Sequence, residues 1–154
     1  QIKNISSHLS ERESNPKYYF VDNGIISLLT LNAESALLEN TVAMELLRRY
    51  GQENQVFFYN EKVEVDFYIP ETTTAIQVCL YPHESDETWR RETEALIRFS
   101  KHLPCSQCLL ITMNDEETLT VDGVTIQLIP AWKWLINPKR IGASDALMQR
   151  CDVY

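Results

Sequence analysis

Residues 55–81, with the sequence QVFFYNEKVEVDFYIPETTTAIQVCLY, contain three strand-like runs. The runs cover residues 55–60, 63–69 and 74–81, and each is rich in aromatic, β-branched or other apolar residues. Only short connections separate them, and short connections join neighbouring antiparallel strands. The segment therefore predicts a three-stranded antiparallel meander.

Helical patterns flank this meander on both sides. The pattern at 35–50 ends at Gly51, and a second one begins at 85–87 with Ser, Asp and Glu and stops before Pro104. Further elements are predicted as a strand at 17–22, a short helix at 25–30, strands at 108–113 and 124–130, and a turn of helix at 131–136. The order β-α-β-β-β-α-β-β predicts a mixed α/β domain.

The composition limits the class of protein. A chain of 154 residues with 44% hydrophobic residues is long enough for one domain with a sizeable core. The 22 acidic and 14 basic side chains give a net charge of −8, which argues against a basic nucleic-acid-binding surface. No apolar run approaches the roughly 20 residues of a membrane span. Because the first residue is Gln1 and not methionine, we expect a piece of a longer protein.

The cysteines and glycines exclude several kinds of site. Only Cys105 and Cys108 have the spacing of metal ligands, and no second close pair follows. We expect buried or strand-edge thiols in a reducing cytosol. The alternative is a redox role for this CxxC pair, which lacks the βαβ context that would support it. The four glycines lie too far apart for a phosphate-binding loop, so no cofactor is expected on this chain.

Glu39 occupies an unusual place in the helix predicted at 35–50. At about 100° per residue it falls within the apolar arc instead of on the polar side. A carboxylate in such a position needs a hydrogen bond, an ion pair or a cation. The interpretations are a residue that satisfies backbone amides or pairs with an arginine, and a present or former metal ligand. The apolar arc consists of Val42, Ala43, Leu46, Leu47 and Tyr50.

The strand predicted at 63–69 alternates in polarity. Val63, Val65, Phe67 and Ile69 are expected to share one face, and Glu64, Asp66 and Tyr68 the other. A solvated sheet face is one explanation of this pattern. The other is a site, because pairing with the next strand would bring Asp66 near Gln77 and Cys79, with Glu39 approaching from the helix.

The layout resembles the PD-(D/E)xK nuclease-like superfamily, whose core is α-β-β-β-α-β with acids on the first helix and second strand and (D/E)xK on the third. More narrowly, the chain resembles the C-terminal domain of unknown function found in a class of prokaryotic AAA-type ATPases. The matching stretches are KYYFVDNG (17–24), LLENTVAMELLRR (37–49), EVDFYIP (64–70), AIQVCL (75–80), ETWRRETEAL (87–96) and IPAWKWL (129–135).

The resemblance implies a restriction-endonuclease-like mixed sheet with flanking helices at 17–137. It makes residues 1–16 the end of a preceding segment and residues 138–154 a C-terminal tail. An ATP-binding P-loop domain, which would use ATP and magnesium, and a winged-helix segment are implied upstream. That ATPase domain is then the expected partner, together with a possible protein partner or self-association.

The resemblance also assigns the residues of a vestigial site. Glu39 and Asp66 occupy the first two acidic positions and are weak metal-ligand candidates. Gln77 stands where an acid is expected, and Cys79 where the lysine is expected. Neutral Gln77 brings no charge, and Cys79 is a poor ligand for magnesium and cannot replace an ammonium in stabilising negative charge. No catalytic residue is therefore assigned.

Three functions follow as hypotheses. The first is a non-catalytic regulatory or interaction module that docks on the ATPase domain, another subunit or a partner protein. The second is a metal-dependent nuclease in which Lys62 or Glu64 has taken over a lost role. The third, which the acidic charge disfavours, is nucleic-acid binding without cleavage. The candidate phosphate contacts for that function are Arg90, Arg91, Arg98, Lys133, Lys139 and Arg140. Arg90 and Arg91 are equally well interpreted as solvated helix charges or as partners of Glu87 and Glu94.

Overall fold

A computed structural model describes residues 1–5, 16–29, 33–50 and 55–137. They form a seven-stranded mixed sheet with helices on both faces, in the strand order β1-β2-β3-β4-β5-β7-β6. The strands are β1 (Lys3–Asn4), β2 (Phe57–Asn60), β3 (Glu64–Ile69), β4 (Thr74–Val78), β5 (Gln107–Thr112), β6 (Glu117–Val121) and β7 (Val124–Pro130). The helices are α1 (Asn23–Leu29), α2 (Ala33–Tyr50), α3 (Asp86–Ser100) and α4 (Ala131–Ile136).

The predicted meander is confirmed, since β2, β3 and β4 pair in antiparallel fashion. From β4 the chain crosses through α3 to β5, which pairs with β4 in parallel, and β7 continues the parallel part of the sheet. Ser85 caps the start of α3, because its side chain accepts a hydrogen bond from the Thr88 amide. A mixed α/β architecture is therefore correct as predicted.

Two apolar layers hold the helices against the sheet. One layer joins α2 and α4 to one face through residues such as Leu46, Phe67 and Trp134. The other joins α3 to the opposite face through residues such as Leu96 and Leu110. Each fully buried side chain of this size contributes roughly 1.5–3 kcal/mol to folding. Across the described residues, no helix combines the length and apolar character that crossing a bilayer requires.

The hairpin of β6 and β7 was not predicted in full, because residues 117–121 were left without an element. Asp122 and Gly123 form its turn with φ angles of 51° and 78°. An Asp-Gly pair tolerates positive φ at both positions, which is what a tight two-residue hairpin turn requires. The Asp-Gly dipeptide between alternating residues was thus the available signal.

The strand predicted at 17–22 is wrong. Only Lys17 makes a bridge, to Ile2, and the following residues are held by a side chain instead of a neighbouring strand. The Asn40 amide of α2 accepts from the Phe20 amide and donates to the Phe20 carbonyl, both at 2.8 Å. The Asn40 side chain thus satisfies the backbone groups that a strand would pair with its neighbour.

The predictions for the two ends of the chain have different outcomes. Lys3–Asn4, inside the segment predicted as the end of a preceding region, pairs with β2 in parallel and belongs to the sheet. The predicted tail at 138–154, including Cys151, lies outside the described residues.

The alternation predicted for the strand at 63–69 is broken. Two residues of β3, Asp66 and Phe67, lie opposite the single residue Phe58 of β2. Two residues opposite one define a β-bulge. Val65 therefore packs in the α3 layer whereas Phe67 packs in the α2 layer. The four apolar residues of this strand therefore do not share one face. The bulge also changes the direction of the Asp66 side chain from the one that simple alternation predicts.

Candidate functional site

A cleft of about 470 Å³ opens where β3 and β4 diverge. The two strands stay paired only as far as Phe67 and Ile76. Beyond that pair, side chains from α2, α3 and the segment before α1 turn toward the gap. The cleft is lined by Lys17, Glu39, Val63, Glu64, Asp66, Gln77, Arg91, Glu94, Ala95 and Arg98.

Asp66 lies at the bottom of this cleft, and only 9% of it is exposed. Its Oδ2 accepts a hydrogen bond from the Val78 amide at 2.9 Å, and its own amide donates to Gln77 Oε1 at 3.2 Å. Burial raises the pKa of Asp66 to about 7, and the negative charge of Glu39 acts in the same direction. Lys17 and the Val78 amide oppose the rise, so Asp66 titrates near neutral pH.

Lys17 brings a positive charge into the cleft. Its Nζ lies 2.9 Å from Glu64 Oε1, 3.7 Å from Glu39 Oε1 and 3.7 Å from Asp66 Oδ1. Burial lowers the pKa of Lys17, but its hydrogen bond to Glu64 and the charges of the three carboxylates outweigh burial and raise that pKa overall. One ammonium group is thus shared by three carboxyl groups from two different elements and offsets only part of their negative charge.

Glu39 has partners other than the backbone amides or arginine expected for a carboxylate in the apolar arc. The Tyr19 hydroxyl donates to Glu39 Oε1 at 2.8 Å, and the Tyr19 ring packs on Phe67 with a centroid distance of 5.7 Å. Burial, helped by the negative charge of Glu39, raises the pKa of Tyr19. Glu39 is therefore held by a neutral hydroxyl group and by the Lys17 ammonium.

Gln77 joins two elements through both ends of its amide. Its Oε1 accepts from the Asp66 amide, and its Nε2 donates to Glu92 Oε2 at 2.7 Å. The other oxygen of Glu92 accepts from Arg91 at 2.6 and 2.9 Å. A carboxylate at position 77 would lie against the buried Glu92 without a donor between them. Glutamine therefore suits this position better than an acid.

Cys79 is half-buried and is not among the residues that line the cleft. Burial and the charge of Glu92 raise its pKa to about 11, so it is a neutral thiol at physiological pH. The structure thus brings Glu39, Asp66 and Gln77 together but leaves Cys79 beside the cleft.

Of the two residues proposed as replacements for a lost catalytic group, Glu64 and Lys62, only Glu64 lines the cleft. Glu64 lines the cleft and pairs with Lys17. Lys62 is absent from the lining residues, and its Nζ lies 3.3 Å from His102 Nε2.

The carboxylates of the cleft do not fit a magnesium ion. Within the described residues, no group of three or more His, Cys, Asp or Glu side chains is arranged to hold a metal ion. The predicted ligands Glu39 and Asp66 are each 3.7 Å from the same ammonium nitrogen. Magnesium binding needs several oxygens close to one point, and here Lys17 occupies the region between them.

Two residues of the site were not identified from the sequence. Lys17 was assigned to a strand, and no local pattern indicates partners in β3 and α2. Glu92 did carry a signal, because it lies three residues after Trp89 and four before Leu96 on the apolar face predicted for α3. A carboxylate on that face needs a partner, which the structure supplies in Gln77 and Arg91.

Comparisons with known proteins identify one relative. The uncharacterized protein MJ1544 of Methanocaldococcus jannaschii is 36% identical over 147 residues, which cover 88% of this chain and 33% of that protein. The chain thus spans about a third of the length of this relative. No family model matches the chain, and no solved structure matches it.

Proposed function

We propose that this chain is a non-catalytic regulatory or interaction domain with a degenerate PD-(D/E)xK-like, restriction-endonuclease-like fold. The order α2-β2-β3-β4-α3-β5 agrees with the α-β-β-β-α-β core of that superfamily. Glu39 on the helix, Asp66 on the second strand of the core and Gln77 on the third contact one cleft, as a vestigial site would require.

The observation that carries this proposal is the position of the Lys17 ammonium. A nuclease of this class needs carboxylates that are free to hold a divalent cation and a lysine that acts on water. Here the carboxylates of Glu39, Glu64 and Asp66 already neutralise an internal cation. With Gln77 committed to Glu92 and Cys79 neutral, the third and fourth positions supply neither a free acid nor an ammonium group for hydrolysis.

An exposed apolar surface supports an interaction role. Segment 18–29 presents Val21 at 90% exposure and Leu28 at 87%, with Tyr18 and Leu29 also well exposed. Exposed apolar side chains can mark contacts with other proteins or domains, and we assign that role to this segment. In our proposal the partner is an ATPase domain of the same protein, which would bind ATP and magnesium. The length of the relative outside the matched region leaves room for such a domain there. The free thiols agree with a cytoplasmic location.

The association can be measured with the ATPase portion of the full-length protein. We expect the added domain to bind that portion and to change its rate of ATP turnover. A Val21→Asp/Leu28→Asp variant should bind at least tenfold more weakly, because charges on a buried apolar contact cost at least about 1.4 kcal/mol. Ile136→Asp on α4, which is also exposed, is the matched control and should bind normally. The proposal is contradicted if the unaltered domain neither binds the ATPase portion nor changes its rate of ATP turnover.

The competing function is a nuclease with migrated groups, and the observation in its favour is that Lys17, Arg91 and Arg98 line the same cleft as the acids. We expect no cleavage of single- or double-stranded DNA or RNA with magnesium or manganese, since the carboxylates are engaged by Lys17. Metal-dependent cleavage that Asp66→Ala abolishes would replace our proposal with this one.

A further inference from the structure

Cys105 and Cys108 form a close pair of thiols away from the cleft. Their Sγ atoms are 3.5 Å apart, with Cys105 half-buried just before β5 and Cys108 buried within it. Cys108 pairs with Ala75 of β4 in the sheet and packs in the α3 layer. The pair thus lies beyond the C-terminal end of α3, in the connection to β5 and in β5 itself.

The surroundings make the two sulfurs unequal. The hydrogen bond from Cys108 lowers the pKa of Cys105 to about 7, with further help from backbone groups of Ala75 and Gln107 and against the effect of burial. The same hydrogen bond and burial raise the pKa of Cys108. Near pH 7 Cys105 is therefore about half thiolate, whereas Cys108 stays a protonated thiol. Thiol–disulfide exchange requires a thiolate to begin the reaction.

The backbone around the pair is fixed by neighbouring loops. The Ser106 amide donates to the Thr73 carbonyl at 2.9 Å, and the two hydroxyls of Ser106 and Thr73 are 2.6 Å apart. This loop closes the β4-α3-β5 crossover, so the pair does lie in a βαβ unit, contrary to the sequence-based expectation. A fixed loop keeps the sulfurs close, and bond formation needs an approach only from 3.5 Å to about 2.05 Å.

We propose that Cys105 and Cys108 are a redox-active dithiol that small-molecule disulfides, of the glutathione disulfide class, convert into an intramolecular disulfide. The Cys105 thiolate attacks one sulfur of the oxidant, whose S–S bond breaks and releases one thiolate. The Cys108 thiol then loses its proton and attacks Cys105 Sγ, and the mixed disulfide breaks to release the second thiolate. The protein loses two electrons and two protons, and the oxidant becomes two thiols.

The experiment uses the whole chain in glutathione buffers with increasing ratios of disulfide to thiol, followed by acid quenching, alkylation and peptide mass spectrometry. We expect Cys105 and Cys108 to lose reactivity together, with a peptide lighter by two hydrogen atoms. A Cys79→Ser/Cys151→Ser variant should behave in the same way. Cys108→Ser should stop at a glutathione adduct on Cys105, because the resolving sulfur is missing.

A second measurement needs no variant. The alkylation rate of Cys105 in the unaltered protein should be half-maximal near pH 7. The proposal is overturned if both thiols stay fully alkylatable at every glutathione ratio. It is also overturned if the disulfide joins other cysteines, or if the rate rises only around pH 8.5, as for an ordinary thiol.

Discussion

Replacing Lys17 with methionine is expected to lower the free energy of unfolding by roughly 2–3 kcal/mol at pH 7. The substitution keeps most of the apolar stem but leaves Glu39, Glu64 and Asp66 without their shared ammonium. Removing one partner of a fully buried ion pair lowers the free energy of unfolding by more than about 2–3 kcal/mol. The effect is smaller here because the Lys17 side chain is 25% exposed and water screens its interactions. Urea denaturation followed by circular dichroism measures the difference.

The matched control for Lys17→Met is Lys62→Met. Lys62 is exposed, lies beside His102 and does not pair with the carboxylates of the cleft. The Lys62→Met substitution should therefore lower the free energy of unfolding by less than about 0.5 kcal/mol. Lowering the pH to 5 should reduce the cost of Lys17→Met, because Asp66, whose pKa is about 7, is then protonated and no longer adds its charge to the cleft. Equal stability of the two variants at pH 7 would show that Lys17 does not neutralise the cleft.

Asp66→Asn is expected to stabilise the protein above neutral pH. The pKa of Asp66 is raised to about 7 in the folded protein, so the protonated form favours folding and ionisation opposes it. The stabilising contribution of protonated Asp66 is complete below about pH 4, the pKa in the unfolded chain, and disappears as the pH rises through 7. An asparagine can keep the bond from the Val78 amide and has no charge to lose.

At pH 8 the Asp66→Asn variant should therefore exceed the unaltered protein by roughly 2–4 kcal/mol in free energy of unfolding, and at pH 4 the two should agree. Urea titrations at four pH values between 4 and 8 provide the comparison. Asp122→Asn, an exposed position in the β6–β7 turn, is the control and should leave the pH profile unchanged. A stability difference that stays constant with pH would contradict the raised pKa of Asp66.

The local patterns predicted most of the elements. The meander, α2 and α3 depend on short connections, apolar periodicity and a Ser85 cap, all of which act over a few residues. The approach of Asp66 to Gln77 was also predicted, because pairing of adjacent antiparallel strands places such residues side by side.

The remaining features depend on contacts between distant parts of the chain. The side chain that replaces strand pairing for Phe20 belongs to Asn40, and nothing near Phe20 in the sequence indicates it. The bulge at Asp66 arises from the register between β2 and β3, which alternation within one strand cannot reveal. Lys17 reaches the acids through its bridge to Ile2, another long-range contact.

The pairing of β1 with β2 has a consequence for the kinetics of folding. Lys3 meets Phe57 only after a long loop has closed, whereas the strands of the meander are neighbours in the chain. Contacts that close long loops form slowly, because the chain loses conformational entropy on closing the loop before the new contacts stabilise it. We therefore expect the meander to form before β1 docks on β2. Contacts made after the transition state mainly slow unfolding. Because Lys17 is bridged to Ile2 beside β1, we expect Lys17→Met to shorten the lifetime of the native state more than it slows folding.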